Sequence, residues 1–506
     1  MRRLSTSTSA SASALVLGLL AGGAHADVTA EDIWRDWQAY LTGFGYEMTG
    51  TPQRSAGRIV IPDLGLAQDI PDEGGRIEMR LGRIELAERG DGTVAVIYPE
   101  TMPMALAFMP DGEDAITAIL TLAHSGLEIT ASGTPEALRY VYSADELSLA
   151  LGEVTIGGEP QDSLEGMLSL TGIAGTSVMQ PDGTARQLVQ DMTSGPVRYA
   201  LRFDLPEESN AFDYSGNAET MSYDTRMRLP DGIDMARMGE ALNDGLEIEG
   251  RMRLGAGEGR YLVTEAGETT RVASQSARTT LDFALSAEGV TYGGEVAEMQ
   301  TEMEVPMLPM PLSYEAARMA GKFTMPMTPG ETPSDFGLLL DLGAMKLSES
   351  IWALFDPGSS LPRDPMNILI DLSGKGRLTV DLFDPEKMAA LDASGEAPGE
   401  IERLDLNRLL ISAAGAKLTG SGGVDIDRAD GMEMPPAEGA VDLRLEGGNA
   451  LLERLVAMGI VSQDQALMVG MMAGMFAQAA EGEDTLTSRV EVKKDGSLTV
   501  NGQKLR

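Results

Sequence analysis

Ile77-Glu78-Met79-Arg80-Leu81, followed by Glu88-Arg89-Gly90-Asp91-Gly92 and Val94-Ala95-Val96-Ile97-Tyr98, is the stretch that decides the fold class. Ile77, Met79 and Leu81 alternate with charged residues, a Gly/Asp turn intervenes, and Val94, Val96 and Tyr98 alternate on the return. Strand side chains point to opposite faces at a period of two, so this pattern predicts hairpin strands with one apolar and one polar face. The same grammar recurs in Val154-Thr155-Ile156-Gly157-Gly158 and in Thr280-Leu281-Asp282-Phe283-Ala284-Leu285. It returns in Leu378-Thr379-Val380-Asp381-Leu382 and Val441-Asp442-Leu443-Arg444-Leu445. A last hairpin reads Val490-Glu491-Val492, then Lys493-Lys494-Asp495-Gly496-Ser497, then Leu498-Thr499-Val500. No strict sequence repeat accompanies it. Such alternation belongs to antiparallel sheet with one wet side.

Helical periodicity appears mainly at the two ends. Thr29 with Asp32 forms a capping pair, and Ile33, Trp34, Trp37, Leu41 and Phe44 share one helical face before Gly43 and Gly45 end it. Near the C-terminus, Ala450 to Met458 reads as one helix, and Ser462 with Gln465 caps a second that runs to about Ala480. In the second, Leu467, Met471 and Met475 form one row and Met468, Met472 and Phe476 the next. Gln478 is the single polar side chain from Ala466 to Ala480, and Gly470 and Gly474 stand four apart. These residues reach about 22 Å, short of the ~30 Å hydrocarbon core of a bilayer. A helix apolar nearly all round is therefore expected to lie buried against the β body. A short helix is expected from Leu347 to Leu354, stopping at Asp356-Pro357.

Glu302 to Pro333 is dense in Met and Pro, including Val305-Pro306-Met307-Leu308-Pro309-Met310-Pro311, and proline so dense argues against a central strand there. Met327-Thr328-Pro329-Gly330-Glu331-Thr332-Pro333 reads as a linker, dividing the chain near 330 into parts 27–330 and 331–506. The expected architecture is α+β and mainly β: a large curved antiparallel sheet, an N-terminal helix and a C-terminal helical pair.

Residues 1–26 have the order of a secretory signal peptide. Arg2 and Arg3 form a cationic start, Ala14-Leu15-Val16-Leu17-Gly18-Leu19-Leu20-Ala21 an apolar core, and Ala24-His25-Ala26 an A-x-A cleavage site before Asp27. No cysteine follows the cleavage site, so no lipid is attached there. The expected location is the periplasm of a Gram-negative-type bacterium, with no transmembrane helix in the mature chain.

Composition removes whole classes of chemistry. Cysteine is absent, which excludes disulfides, thiol nucleophiles and thiolate metal sites. Losing Arg2 and Arg3 takes the net charge from −39 to −41, and such a surface repels nucleic acid. Of two histidines, His25 leaves with the leader, so a multi-histidine zinc site is impossible. His124 has no serine in a nucleophile-elbow pattern near it and reads as a surface or hydrogen-bonded structural residue. Asp425-Ile426-Asp427-Arg428-Ala429-Asp430-Gly431 imitates a calcium loop, but its glycine is seventh and Pro436 stands twelfth, so it reads as the wet face of a strand entering a turn. Met299, Met303, Met307 and Met310 are spaced like copper(I) ligands, yet 31 methionines spread through the chain fit adaptable packing better. No catalytic, cofactor-binding or metal-binding residue is singled out. A carboxylate-dependent hydrolase such as a glycosidase needs only two acids, and 78 acidic residues leave that pair undefined.

Leu361-Pro362-Arg363-Asp364-Pro365, ahead of strands ending in Leu382-Phe383-Asp384-Pro385, resembles the uncharacterised exported alphaproteobacterial proteins grouped as domain of unknown function 2125. The mature opening Asp27-Val28-Thr29-Ala30-Glu31-Asp32-Ile33-Trp34 and the closing Asp495-Gly496-Ser497-Leu498-Thr499-Val500-Asn501-Gly502-Gln503 are similar to the same family. That resemblance implies no activity and no catalytic residues. More distantly, the C-terminal order of strand, two helices and Asp-Gly hairpin is similar to AsmA-like envelope proteins, whose curled sheets handle lipid on an apolar concave side. The expected function is a non-enzymatic periplasmic protein that binds an apolar, lipid-like ligand or assists envelope assembly, marked by a long Met/Leu/Ile-lined groove. The alternatives are a structural or protein-partner module, marked by a flat apolar patch, and the carboxylate hydrolase.

Overall fold

A computed structural model describes residues 28–505 except 71–74, 162, 206–208, 236, 396 and 428–435. Ala24, Ala26 and the rest of the leader, with Asp27, lie outside the described residues. The chain is mainly β, 61% strand against 12% helix, with antiparallel sheet, an N-terminal helix and a C-terminal helical pair.

Helix α1 (Ala30–Gly43) forms as its capping residues dictate. Thr29 N and Oγ1 donate to Asp32 Oδ2 at 3.1 and 2.6 Å, and Asp32 N donates back to Thr29 Oγ1 at 3.2 Å. Its apolar face, Ile33, Trp34, Trp37 and Leu41, is buried. Trp37 Nε1 donates to the Tyr140 hydroxyl at 3.0 Å, and Asp36 pairs with Arg186, so the indole's polar edge is satisfied inside the core.

Two compact units divide at Glu268/Thr269, not near 330. In the first, two long strands, Ala137–Ile156 and Leu164–Asp182, pair with each other and carry different neighbours on their two halves. Residues 137–143 pair with Glu128–Thr134, whereas 146–156 pair with Ile116–Ser125. Across the waist, 174–182 pair with Ala185–Ser194 and 164–170 with Val197–Leu205. The sheet thus branches on both sides. Gly172, at the branch, has φ 59°, a left-handed conformation that a residue without Cβ adopts at no steric cost.

One pair of branches closes a core with α1: Ile61, Ile84, Leu86, Val94, Ile129 and Leu138 are fully buried. The hairpin of the opening stretch exists, but it joins Ile84–Glu88 to Val94–Ile97. Ile77, Met79 and Leu81 belong to Gly75–Leu81, which pairs with Leu64–Asp69 and Thr101–Pro110. Helix α2 (Met238–Asn243) is short and buries Leu242.

The second unit is a meander. Ten strands pair in succession: Arg278–Ser286, Gly289–Glu304, Leu312–Met325, Ser334–Leu347, Met366–Leu378, Gly399–Ala413, Ala416–Ile426, Ala437–Glu446, Thr485–Val492 and Leu498–Val500. Ala414-Gly415, both at positive φ, makes the tight turn between two of them. Helices α3 (Glu349–Ala353), α4 (Pro385–Ser394), α5 (Gly448–Ala457) and α6 (Gln463–Phe476) occupy the connections.

Three sequence expectations are corrected in this unit. The Met/Pro-rich segment contains a central strand, Leu312–Met325, because its prolines fall in the loops on either side. Residues 327–333 form a loop between two strands hydrogen-bonded to each other, not a linker. Strand Met366–Leu378 stops at Leu378, and Thr379 to Leu382 turn away toward the Asp384 cap of α4.

Candidate functional site

The registers of the second unit align apolar side chains across its whole width. Phe283 stands opposite Tyr292, Tyr292 opposite Phe323, Phe323 opposite Leu338, and Leu338 opposite Leu372. The rung continues through Leu406, Gly422, Val441, Val490 and Val500. A parallel rung holds Met319, Leu342, Ile368, Ile411, Leu418, Leu445 and Leu486. Directly opposed side chains lie about 5 Å apart, so these rungs make a continuous apolar face.

This face is open over its first strands. Tyr292 is 54% exposed and Leu338 49%, Phe283, Phe323, Leu340 and Ile411 are also exposed, Leu372, Leu406, Val441 and Val490 are half-buried, and Val500 is the one buried member of the first rung. The opposite face carries the charges. Arg318 bridges Glu295 and Asp341 at 3.0 and 2.9 Å, Arg403 bridges Asp405 and Asp425 at 2.6 Å each, and Arg489 bridges Asp442 and Glu491 at 2.7 and 3.0 Å. The sheet therefore has one solvated, ion-paired side and one open apolar side, whereas a closed domain would bury the second.

One end of the face is closed by side chains. Trp352, Leu361 and Ala414 form a buried cluster, with Leu347, Leu451, Leu455 and Met458 packed on it. Asp356 builds the loop that places Leu361: its carboxylate accepts from Ser360 N and Leu361 N at 2.9 Å each and from Arg363 Nη1 at 2.6 Å. Burial opposes the charged form, but these hydrogen bonds and the guanidinium hold the carboxyl below its usual range. The Arg363 guanidinium lies 4.2 Å over the Trp352 ring. The Leu361-Pro362-Arg363 stretch is thus a structural corner.

A cleft of about 770 Å³ opens beside the last strands, lined by Leu409, Leu443, Gln478, Ser488, Arg489 and Asn501 among others. Lys417 and Arg444 also line it and pair with Glu446 at 3.6 and 2.7 Å, as Arg489 does with Asp442, so those cations are spoken for. A smaller open apolar area in the first unit holds Leu201, Tyr214 and Tyr261 in register, with Tyr199 and Tyr214 rings 5.2 Å apart.

Helix α6 reverses the expectation of burial. Its capping box between Ser462 and Gln465 forms as the sequence indicates, and its C-terminal end is tied down, since Ser488 Oγ and Asn501 Nδ2 donate to Phe476 O at 2.6 and 3.1 Å. Yet none of its residues is buried: Leu467, Met468, Val469, Met471, Met472 and Met475 are all exposed, Met471 by 67%. A Cβ added at Gly470 or Gly474 would meet nothing within 4 Å, so no helix packs on that pair.

Compared with family models, curated proteins and solved structures, the chain matches none. The functional reading rests on its own geometry.

The remaining sequence candidates are not brought together. His124 is opposite Leu147, whose row continues through Leu170 and Val197, and neither ring nitrogen has a hydrogen-bond partner among the described residues. It is neither a surface nor a hydrogen-bonded residue as expected, and no serine or acid addresses it. Asp425 pairs with Arg403, and Lys494 Nζ donates to Asp427 at 2.7 Å, which is the wet-strand reading of that stretch; residues 428–435 lie outside the described residues. Met299 and Met303 lie four apart on a strand while Met307 and Met310 sit in the following loop, exposed. Among the described residues, no group of three or more His, Asp or Glu could hold a metal ion. Asp36 is a buried carboxylate whose pKa is raised, by burial against the lowering influence of Arg186; it stands on α1 itself, with no second acid beside it in its hydrogen-bond set. The alternation of the second unit's strands was legible in the sequence, but the openness of their apolar face was not, because bulky apolar residues such as Leu467, Met471 and Phe476 exist elsewhere in the unit and nothing local says that they do not cover it.

Proposed function

We propose that this chain is an exported, non-enzymatic envelope protein that holds an apolar, lipid-like molecule along the open face of its second unit. The observation that carries the reading is the ten-strand rung from Phe283 to Val500, in which Phe283, Tyr292, Phe323 and Leu338 are exposed, Leu372, Leu406, Val441 and Val490 are half-buried and only Val500 is buried. An apolar face of this width in contact with water is costly at about 25 cal/mol per Å², and an acyl chain or similar body laid along it removes that cost. Removal of residues 1–26 and periplasmic delivery are part of the same reading.

The test is native mass spectrometry and solvent extraction of protein purified from the periplasm, paired with binding of the probe 1-N-phenylnaphthylamine. Co-purification of a lipid, probe binding displaced by that lipid, and loss of both in a folded Leu338→Asp variant are expected. A chain beginning at Asp27 is expected in the same spectra. Protein that carries no lipid and binds no probe, or a Leu338→Asp variant that binds both unchanged, refutes the reading. The exposed helix α6 favours a second role, in contact with another surface.

A further inference from the structure

We infer that helix α6 is a membrane-docking element that enters the hydrocarbon of one leaflet of an electrically neutral bilayer. This does not depend on whether the sheet face carries a cargo.

The width of the apolar arc selects the occupant. At 100° per residue, Leu467, Met471, Met475, Met468, Met472 and Val469 spread over about 200° of the helix circumference. All six are exposed, while the small residues Ala466 and Ala473, in the remaining sector, are half-buried. A helix seated in a protein groove, or paired with a copy of itself, buries a stripe on the order of 100° wide and keeps polar residues beside it. From Ala466 to Phe476 there is no polar side chain, so half or more of such a stripe's surroundings would stay apolar and wet. A fluid hydrocarbon phase covers the whole arc at once.

Length and charge narrow the surface. Fourteen residues span about 21 Å, too short to cross a bilayer, and no described helix is long and apolar enough to do so. Asp464 stands in the first turn of the helix and Glu481, Glu483 and Asp484 follow its end, with no Lys or Arg between Arg454 and Arg489 to meet an anionic headgroup. On a chain of net charge −39, that pattern repels anionic lipid and leaves a zwitterionic surface as the partner. The anchoring of Phe476 O by Ser488 and Asn501 fixes the helix to the sheet, so insertion would dock the whole second unit.

The experiment is flotation of the full processed chain with phosphatidylcholine/phosphatidylethanolamine vesicles, with and without phosphatidylglycerol, alongside light scattering for oligomeric state. Flotation with the zwitterionic vesicles is expected, weakened by phosphatidylglycerol at low salt. Leu467→Asp with Met471→Asp should lower the bound fraction by at least about tenfold while leaving circular dichroism and melting unchanged, because both side chains are exposed. In a Met471→Trp variant the new indole should shift to the blue on adding vesicles, against Trp34, Trp37 and Trp352, which are buried. Three results would overturn the inference: no flotation with zwitterionic vesicles, flotation untouched by the double aspartate variant, or a dimer that the double variant splits. Loss of flotation with retained probe binding would leave the cargo reading standing, and the converse would leave this one.

Discussion

Leu138 and Leu338 are the same side chain in the two units of this chain, and replacing each measures whether the second unit has a closed core. Leu138 is 0% exposed, within the core that α1 covers, whereas Leu338 is 49% exposed on the open rung between Phe323 and Leu372. Leu138→Ala removes buried methyl groups and leaves a cavity, so its cost is about 2–5 kcal/mol. Leu338→Ala removes a side chain only half out of water and opens no cavity, since one side already faces solvent. Half of the roughly 1.5–3 kcal/mol for burying a leucine gives a cost of about 1 kcal/mol. Leu338→Asp adds a strand-propensity penalty of up to ~1 kcal/mol but no trapped charge, for a total of about 2 kcal/mol. A covered Leu338 would instead make the aspartate an unpaired buried carboxylate, costing several kcal/mol more. Urea titrations followed by circular dichroism, compared at unchanged m-value, read these differences directly. A Leu338→Asp loss above about 4 kcal/mol, or a Leu338→Ala loss equal to that of Leu138→Ala, would show the face to be covered and would remove the basis of the proposed function.

Acid should release the Asp356 corner. Its hydrogen bonds and Arg363 hold its folded pKa below the ordinary aspartate value, so its contribution is present above that ordinary value and lost as pH falls through the folded pKa; Trp352 fluorescence should change in that window. Asp356→Asn should show the changed Trp352 signal already at neutral pH, and an acid-insensitive wild-type signal would contradict the assignment. His124→Leu, replacing a ring with two unsatisfied nitrogens in an apolar row, should leave the melting temperature unchanged or raise it; a fall of several degrees would mean that the nitrogens do have partners. Asp484 caps α5 from a distance, accepting from Ala450 N at 2.9 Å and Asn449 Nδ2 at 2.7 Å. Asp484→Ala should cost about 1 kcal/mol and speed amide exchange in Gly448–Ala457, and unchanged exchange there would refute the capping role.

Much of this chain is legible from short range because its signals are local. A period of two placed strands at Thr280, Val441 and Val490, and the capping pairs Thr29/Asp32 and Ser462/Gln465 opened α1 and α6 where the structure has them. These are contacts over three residues or patterns over five, and no distant part of the chain is needed to form them. The aromatic face of α1 was equally readable, because Ile33, Trp34, Trp37 and Leu41 leave no other side to bury.

What lies against each face is a long-range property, and there the reading of the sequence alone stopped. A period of two says that Leu338 and Leu340 share a side; it does not say whether another layer exists to cover it. The branching of the sheet in the first unit depends on where Ala137–Ile156 changes partners, which no alternation encodes. His124 was misplaced for the same reason, since its apolar surroundings come from strands 23 to 73 residues further on. Helix α6 shows the limit most plainly. Its composition required that water be kept from Leu467, Met471 and Met475, and burial in its own protein is the usual means. Only the tertiary structure shows that the sheet withholds that cover, because α6 is held at its C-terminal end while its sides stand clear.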